Sequence, residues 1–300
     1  MPALKHIINA ARLRTLPLSV SGIIVGSFLA YARGNFDWLI FSLAILTTLG
    51  FQILSNFAND YGDGIKGTDN DDRIGPQRTI QSGVISLKEM QRIMLITIVV
   101  TLVVALALIY VSFGVERPVY TFIFFVLGLA SIGAAIKYTI GSKAYGYSGL
   151  GDLFVLLFFG LLSVVGSYFL YTKAIDWTIF LPALSVGFLS VGVLHLNNMR
   201  DYNSDIRSGK NTIAVKLGLK NSKLYYSFLI MGSLILALVY VFYHWQSIWQ
   251  LLFLLAYIPL ILQLLRVVKN KEPKALDPEL KKLAIGTFIF SIVFGLGQIL

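Results

Sequence analysis

Apolar residues collect in nearly continuous runs along the chain, at about 16–33, 38–57, 93–113, 118–140, 149–172, 177–197, 223–243, 247–266 and 283–300. Each run is long enough to cross a hydrocarbon core of roughly 30 Å as a helix. A membrane barrel needs short strands in which apolar and polar positions alternate, and these runs are continuous. The pattern predicts an all-α integral membrane protein: about nine transmembrane helices in a single bundle, with residues 1–300 forming one domain. Lys5, Arg12 and Arg14 precede the first run, but no small-residue cleavage site follows it, so that run is expected to be retained as a span.

Composition agrees with a membrane solvent. The chain is 56% hydrophobic and 13% charged, with a mean hydropathy of +0.75, whereas a soluble domain carries about a quarter charged residues. Cysteine is absent, which excludes disulfides, thiolate metal sites and cysteine nucleophiles.

The net charge of +10 is distributed unevenly. With the N-terminus inside, only Arg33, Arg117 and Lys173 of the basic residues fall outside, balanced there by Asp37, Glu116 and Asp176. The excess of Lys and Arg therefore lies on one face, which predicts a multi-pass protein of the cell (cytoplasmic) membrane with its N-terminus cytoplasmic and its C-terminus outside. Because these charges sit in loops between spans and form no separate basic domain, no nucleic-acid partner is expected. No obligatory protein partner is evident either. The basic loop at 267–282 reads as a contact with anionic lipid of the surrounding bilayer.

The outer connections near 33–37, 114–117, 172–176 and 244–246 are short, which concentrates any chemistry on the inner face. Two inner loops, 58–92 and 198–222, are long, and each follows the same pattern, Asn-x-x-x-Asp-Tyr. The first copy is Asn56…Asp60-Tyr61, followed by Asp63; the second is Asn197…Asp201-Tyr202, followed by Asp205. Four spans separate the copies, an even number, so both helix ends face the same side, as two pseudo-repeated halves require. The motif-bearing segments are 56–92 and 197–222.

Acidic side chains at the ends of membrane helices cost free energy unless they are paired or functional. The spacing of Asp63, Asp69, Asp71 and Asp72 does not reproduce an EF-hand loop. Oxygen-only donors mixed with Arg and Lys suit Mg²⁺ shared between carboxylates and a substrate diphosphate. The candidate metal ligands are Asn56, Asp60, Asp63, Asn197, Asp201 and Asp205, the four aspartates being the candidate catalytic set. Lys66, Arg73, Arg78, Arg200 and Lys210 are candidates for binding the diphosphate.

Finer features carry a family resemblance. Asn59-Asp60-Tyr61-Gly62-Asp63 with Lys66-Gly67, then Asp72-Arg73-Ile74-Gly75-Pro76 and Gln81-Ser82-Gly83, resembles the UbiA-type intramembrane aromatic prenyltransferases. Within that family it is similar to the 1,4-dihydroxy-2-naphthoate polyprenyltransferase branch of menaquinone biosynthesis, as are Ala11-Arg12-Leu13-Arg14-Thr15-Leu16-Pro17-Leu18-Ser19 and Gly149-Leu150-Gly151-Asp152. The wider family repeats Asp at a spacing of four in its first motif. Here that position is Gly64, which leaves open whether Asp63, Asp69 or both complete the first metal site.

The resemblance implies a polyprenyl diphosphate held head-first by two magnesium ions, with its tail among the helices. The implied acceptor is 1,4-dihydroxy-2-naphthoate, prenylated with decarboxylation to demethylmenaquinol; 4-hydroxybenzoate is the alternative acceptor. An allylic cation needs a dry pocket with aromatic faces. Tyr138, beside Lys137, is a candidate for it, and equally an interfacial belt residue. Arg12 or Arg14 would pair with the acceptor carboxylate, or simply mark the inner face. Asp152 would act on the acceptor hydroxyl, or cap the fifth span. His195 reads as a packing residue. A transporter, the alternative from another class, would place its acids near the bilayer midplane in broken helices; a metal-dependent lipid phosphatase would release diphosphate without transfer.

Overall fold

The computed structural model describes residues 2–67, 78–141 and 144–300. Among these residues there are helices and turns and no strand. A short amphipathic helix, α1 (Leu4–Ala11), buries Ala10 and Ala11 and leaves Leu4, Lys5 and Ile8 exposed. It ends where Arg12 takes a left-handed conformation, φ 50°, and turns the chain into α2 (Leu16–Ala32). The following helices are α3 (Trp38–Lys66), α4 (Leu87–Phe113), α5 (Pro118–Lys137), α6 (Gly151–Thr172), α7 (Phe180–Arg200), the short α8 (Tyr202–Arg207), α9 (Ile213–Tyr243), α10 (Leu254–Lys269) and α11 (Asp277–Ile299).

Among the described residues, nine helical segments are long and apolar enough to cross a membrane, the number that the hydrophobic pattern predicts. Several overrun the apolar runs. The second span was expected to end near residue 57, yet α3 continues to Lys66, so Asp60 and Asp63 lie on a helix and not in the loop expected at 58–92. Likewise α4 begins at Leu87 and α9 at Ile213. Hydropathy marks where lipid ends, whereas a helix ends where its backbone is capped. Local chemistry sets those caps: Ser86 and Glu89 form a reciprocal capping box at the start of α4, and at the end of α3 Gly67, at φ 62°, donates its N–H to the Asp63 carbonyl.

Small residues bring helices close without a hydrophobic driving force between them. Gly22 and Gly26 of α2 lie against Ser163 and Ser167 of α6, and Gly160 of α6 against Ala183 and Gly187 of α7. Buried hydroxyls add hydrogen bonds across helices. Ser185 meets Ser233 at 2.9 Å, Ser233 meets Tyr257 at 2.6 Å, and Tyr226 donates to Gln263 at 2.7 Å. The stretch Leu156–Gly166 of α6 is wound as a π-helix and lines a partly open cavity, in keeping with the frequent siting of such turns at functional positions.

Two apolar cores result. The larger joins residues of α2, α3, α4, α6, α7 and α9–α11; the smaller packs Ala10, Ala11, Leu54, Phe57, Ala58, Met90 and Ile132, docking α1 on α3.

A candidate active site at the motif end of the bundle

Asp60 and Asp63 stand three residues apart on α3 and share a face. Both are buried, 2% exposed. Charges so placed need partners, and the fold supplies them from distant segments. Arg12 Nη2 donates to Asp60 Oδ1 from the turn after α1. Thr79 Oγ1 donates to Asp60 Oδ2 at 3.0 Å, and Arg78 Nε lies 3.7 Å from Asp60 Oδ1. Arg78 Nη1 reaches Asp63 Oδ2 at 2.6 Å and the Asn59 carbonyl at 2.7 Å. Asp63 also accepts from the Tyr147 hydroxyl and stands 3.8 Å from Lys210 Nζ.

Asn56 sits one turn earlier. Its Nδ2 donates to the Ala11 carbonyl at 2.8 Å and to Thr15 Oγ1 at 3.1 Å, while its Oδ1 accepts from Gln52 at 3.2 Å. The expected metal ligand is thus engaged in holding the N-terminal segment, and with it Arg12, over the first motif.

The second motif is built where α7 gives way to α8. Arg200 donates to Asp201 through Nε at 2.8 Å and Nη2 at 2.7 Å, to Asn197 Oδ1 at 2.9 Å and to Asp277 at 2.6 Å. Expected to bind diphosphate, Arg200 is buried at 4% exposure and committed to protein acceptors, so it braces the second motif. Asn197 Nδ2 reaches Asp201 Oδ2 at 3.4 Å.

Asp205 is buried and makes no side-chain hydrogen bond or ion pair among the described residues. Burial pushes its carboxyl up to about 7; Lys210 opposes that shift, and the charges of Asp201 and Asp63 add to it. A cation beside it would restore the charged form.

Lys210 joins the halves, since it follows the second motif and its ammonium lies beside Asp63 of the first. Lys66 Nζ lies 4.0 Å and Lys210 Nζ 4.8 Å from the centre of the Tyr147 ring. Among the described residues no three acidic or histidine side chains converge as a ready-made metal cage. Mg²⁺ does not require one, because it takes one or two carboxylates and completes its shell with water and substrate phosphate. The buried Asn59 Oδ1, which has no hydrogen-bond partner among the described residues, and the buried Asp205 are oxygen donors of the right chemistry. The residues present therefore fit a Mg²⁺–diphosphate unit.

Next to these groups lies a cavity of about 330 Å³, reaching from Asn59, Tyr138 and Tyr145 past Phe154 and Phe158 to Phe124 and Leu170. Its lining is mainly apolar. Tyr138 meets Tyr145 edge-on at 5.3 Å, and Tyr145 stacks on Phe154 at 3.9 Å.

Other expected residues stand apart. Arg14 and Lys137 are exposed and line none of this cavity. Arg73 and Asp69 lie outside the described residues. Asp152 occupies the second position of α6, where Leu150 is the cap residue, so Asp152 does not cap that helix. Its Oδ2 is 3.7 Å from Nδ1 of His195, which is fully buried with Nε2 against the Ser222 carbonyl at 3.2 Å. Thr79, Tyr147 and the Asp152–His195 pairing had no signal in sequence spacing, because each joins segments far apart in the chain.

The model of the UbiA prenyltransferase family matches residues 19–295. The chain belongs to that family. A curated relative, the 1,4-dihydroxy-2-naphthoate octaprenyltransferase of Escherichia coli (strain K12), is 44% identical over 290 residues, covering 97% of this chain and 94% of the relative. Among solved structures, a UbiA homolog from Aeropyrum pernix K1 in its apo form superposes with a TM-score of 0.68 at 16% identity, over 97% of each chain. A UbiA homolog from Archaeoglobus fulgidus bound to DMAPP and Mg²⁺ gives 0.60 at 17% identity, over 96% of this chain and 98% of that one. The shared UbiA fold is the membrane bundle described above.

Proposed function

We propose that this protein transfers a polyprenyl group from polyprenyl diphosphate to 1,4-dihydroxy-2-naphthoate with loss of carbon dioxide, yielding demethylmenaquinol, in a Mg²⁺-dependent reaction. The observation that carries this reading is the meeting of the two motif halves at Asp63 and Lys210, beside an apolar, aromatic-lined cavity. The E. coli relative's named activity supports the acceptor. The ligands of the Archaeoglobus homolog support a metal-bound prenyl diphosphate.

Asp60 and Asp63 on one side, and Asp201 and Asp205 on the other, would hold the metal. Bound there, Mg²⁺ supplies positive charge to the departing diphosphate. Arg78, Lys66 and Lys210 orient the head group and stabilise the same developing charge, and because that charge is larger in the transition state than in the substrate, they favour bond breaking. The allylic carbon–oxygen bond breaks with its electron pair leaving on diphosphate. Tyr138, Tyr145 and the apolar wall exclude water and present aromatic faces to the allylic carbon. A ring carbon of the acceptor supplies the electron pair of the new bond; release of carbon dioxide from that carbon returns a pair to the ring.

The whole chain acts as one catalytic unit, with its motif end at the cytoplasmic face of the cell membrane, the N-terminus cytoplasmic and the C-terminus outside. The charge asymmetry supports that orientation.

The test offers the purified protein both 1,4-dihydroxy-2-naphthoate and 4-hydroxybenzoate with a polyprenyl diphosphate and Mg²⁺. The prenylated naphthol product, with stoichiometric carbon dioxide, is expected. Exclusive prenylation of 4-hydroxybenzoate, or diphosphate release without transfer, would overturn it.

A further inference from the structure

The connection between α5 and α6 carries a residue that belongs to neither motif and touches both motif-bearing segments. The Tyr147 hydroxyl donates to Asp63 Oδ1 of the first. Its carbonyl accepts from the Asn211 N–H, just past the second, at 2.9 Å. The next carbonyl, of Ser148, accepts from Lys216 Nζ at 2.8 Å, so this connection is tied both to the segment leading into α9 and to the first turn of α9. Over the ring lie the ammonium groups of Lys66 and Lys210, one from each half.

We propose that Tyr147 is a positioning residue for the transfer reaction: its hydroxyl sets the orientation of Asp63 toward the metal, and its ring holds Lys66 and Lys210 ready for the diphosphate. This rests on the diphosphate reading above and extends it to a residue outside the motifs. The physical basis has two parts.

An aromatic face attracts a cation, and this one ring has two mutually repelling ammonium groups over it. An ammonium held on a ring is not locked to a carboxylate, so it can turn to phosphate oxygen at little cost. Without the ring, Lys210, already 3.8 Å from Asp63, would close onto that carboxylate and withdraw from the substrate. The hydroxyl acts on a different partner. It occupies one acceptor position of Asp63 while Arg78 occupies another, and this fixes the carboxylate plane.

The two roles separate by substitution. Tyr147→Phe keeps the ring and removes the hydroxyl, whereas Tyr147→Leu removes both. In the full-length purified protein, the Phe variant is expected to raise the Mg²⁺ concentration for half-maximal transfer about tenfold, with the KM for polyprenyl diphosphate within about twofold of the parent. The Leu variant is expected to raise that KM by about tenfold or more as well. Binding of inorganic pyrophosphate with Mn²⁺, measured calorimetrically without acceptor, should follow the same split.

A residue that merely packs the loop would lower the melting temperature of both variants and leave these affinities unmoved. That result, or equal pyrophosphate affinity in the Phe and Leu variants, overturns the proposal. If the Leu variant does not fold, an unchanged Mg²⁺ requirement in the Phe variant overturns it alone. Since the calorimetric arm needs no acceptor, failure of the naphthoate assignment is distinguishable from failure of this one.

Discussion

The Asp63 carboxylate and the Lys210 ammonium meet at 3.8 Å, although one belongs to α3 and the other to the segment between α8 and α9. The pair makes one site of two motifs that the sequence shows only as separate copies. At that distance the contact is looser than a direct hydrogen bond, which suits a group that must turn to a substrate.

Replacement of Lys210 with methionine should therefore leave Asp63 with Arg78 and change melting little. Its effect should fall on the head group, with the KM for polyprenyl diphosphate rising about tenfold, the typical weight of one charge-assisted hydrogen bond. Steady-state transfer assays at saturating acceptor check this.

Asn56 discriminates between two roles by an isosteric change. Asn56→Asp preserves a metal-ligating oxygen but cannot donate to the Ala11 carbonyl. The geometry makes the clasp its main role, so Asn56→Asp should be as damaging as Asn56→Ala, each costing about 1–3 kcal/mol for the buried carbonyl left without a donor. Proteolysis of the α1 segment should accelerate in both. Melting curves and limited digestion measure the two effects.

Arg12 reaches Asp60 only because the chain turns through a left-handed residue after α1. Arg12→Gln should leave a buried carboxylate with Arg78 and Thr79 alone, lowering kcat/KM by about tenfold to a hundredfold, the loss of one charge-assisted contact to a site carboxylate. Arg14→Gln, at an exposed position, should have no comparable effect in the same assay.

At Gly160 an added Cβ would lie 2.8 Å from both the Ala183 carbonyl and the Gly187 Cα, backbone atoms that cannot rotate away. Gly160→Ala should cost about 1–3 kcal/mol through forced separation of α6 and α7. Unfolding in mixed micelles would show it as a lower midpoint.

Much of this was legible in the chain because lipid imposes a strong pattern. Continuous apolar runs fix helices and their number, and acidic residues at span ends betray a site. Asp60 and Asp63 were candidates on those grounds, Arg78 and Lys210 as cations near them, and the structure brings the four together. Helix ends were not legible: α3 runs past its apolar stretch because Gly67 caps it late. The roles of Asn56 and Arg200 were not legible either. Residue type suggests a ligand or a phosphate binder; it does not show that Asn56 bonds to the distant Ala11 carbonyl, or that Arg200 is shared among its neighbours Asn197 and Asp201 and the distant Asp277. Tyr147 was invisible for the same reason, one aromatic among many until its contacts are seen.

The central claim is that both carboxylate halves grip one metal–diphosphate unit. Electron paramagnetic titration of Mn²⁺ in the presence of inorganic pyrophosphate tests it most directly, using the full-length protein and its Asp60→Asn and Asp201→Asn variants. Loss of pyrophosphate-dependent Mn²⁺ uptake in each single variant is the expected result. Retention in either variant of full pyrophosphate affinity, with about half the manganese bound, would show two independent sites and contradict it.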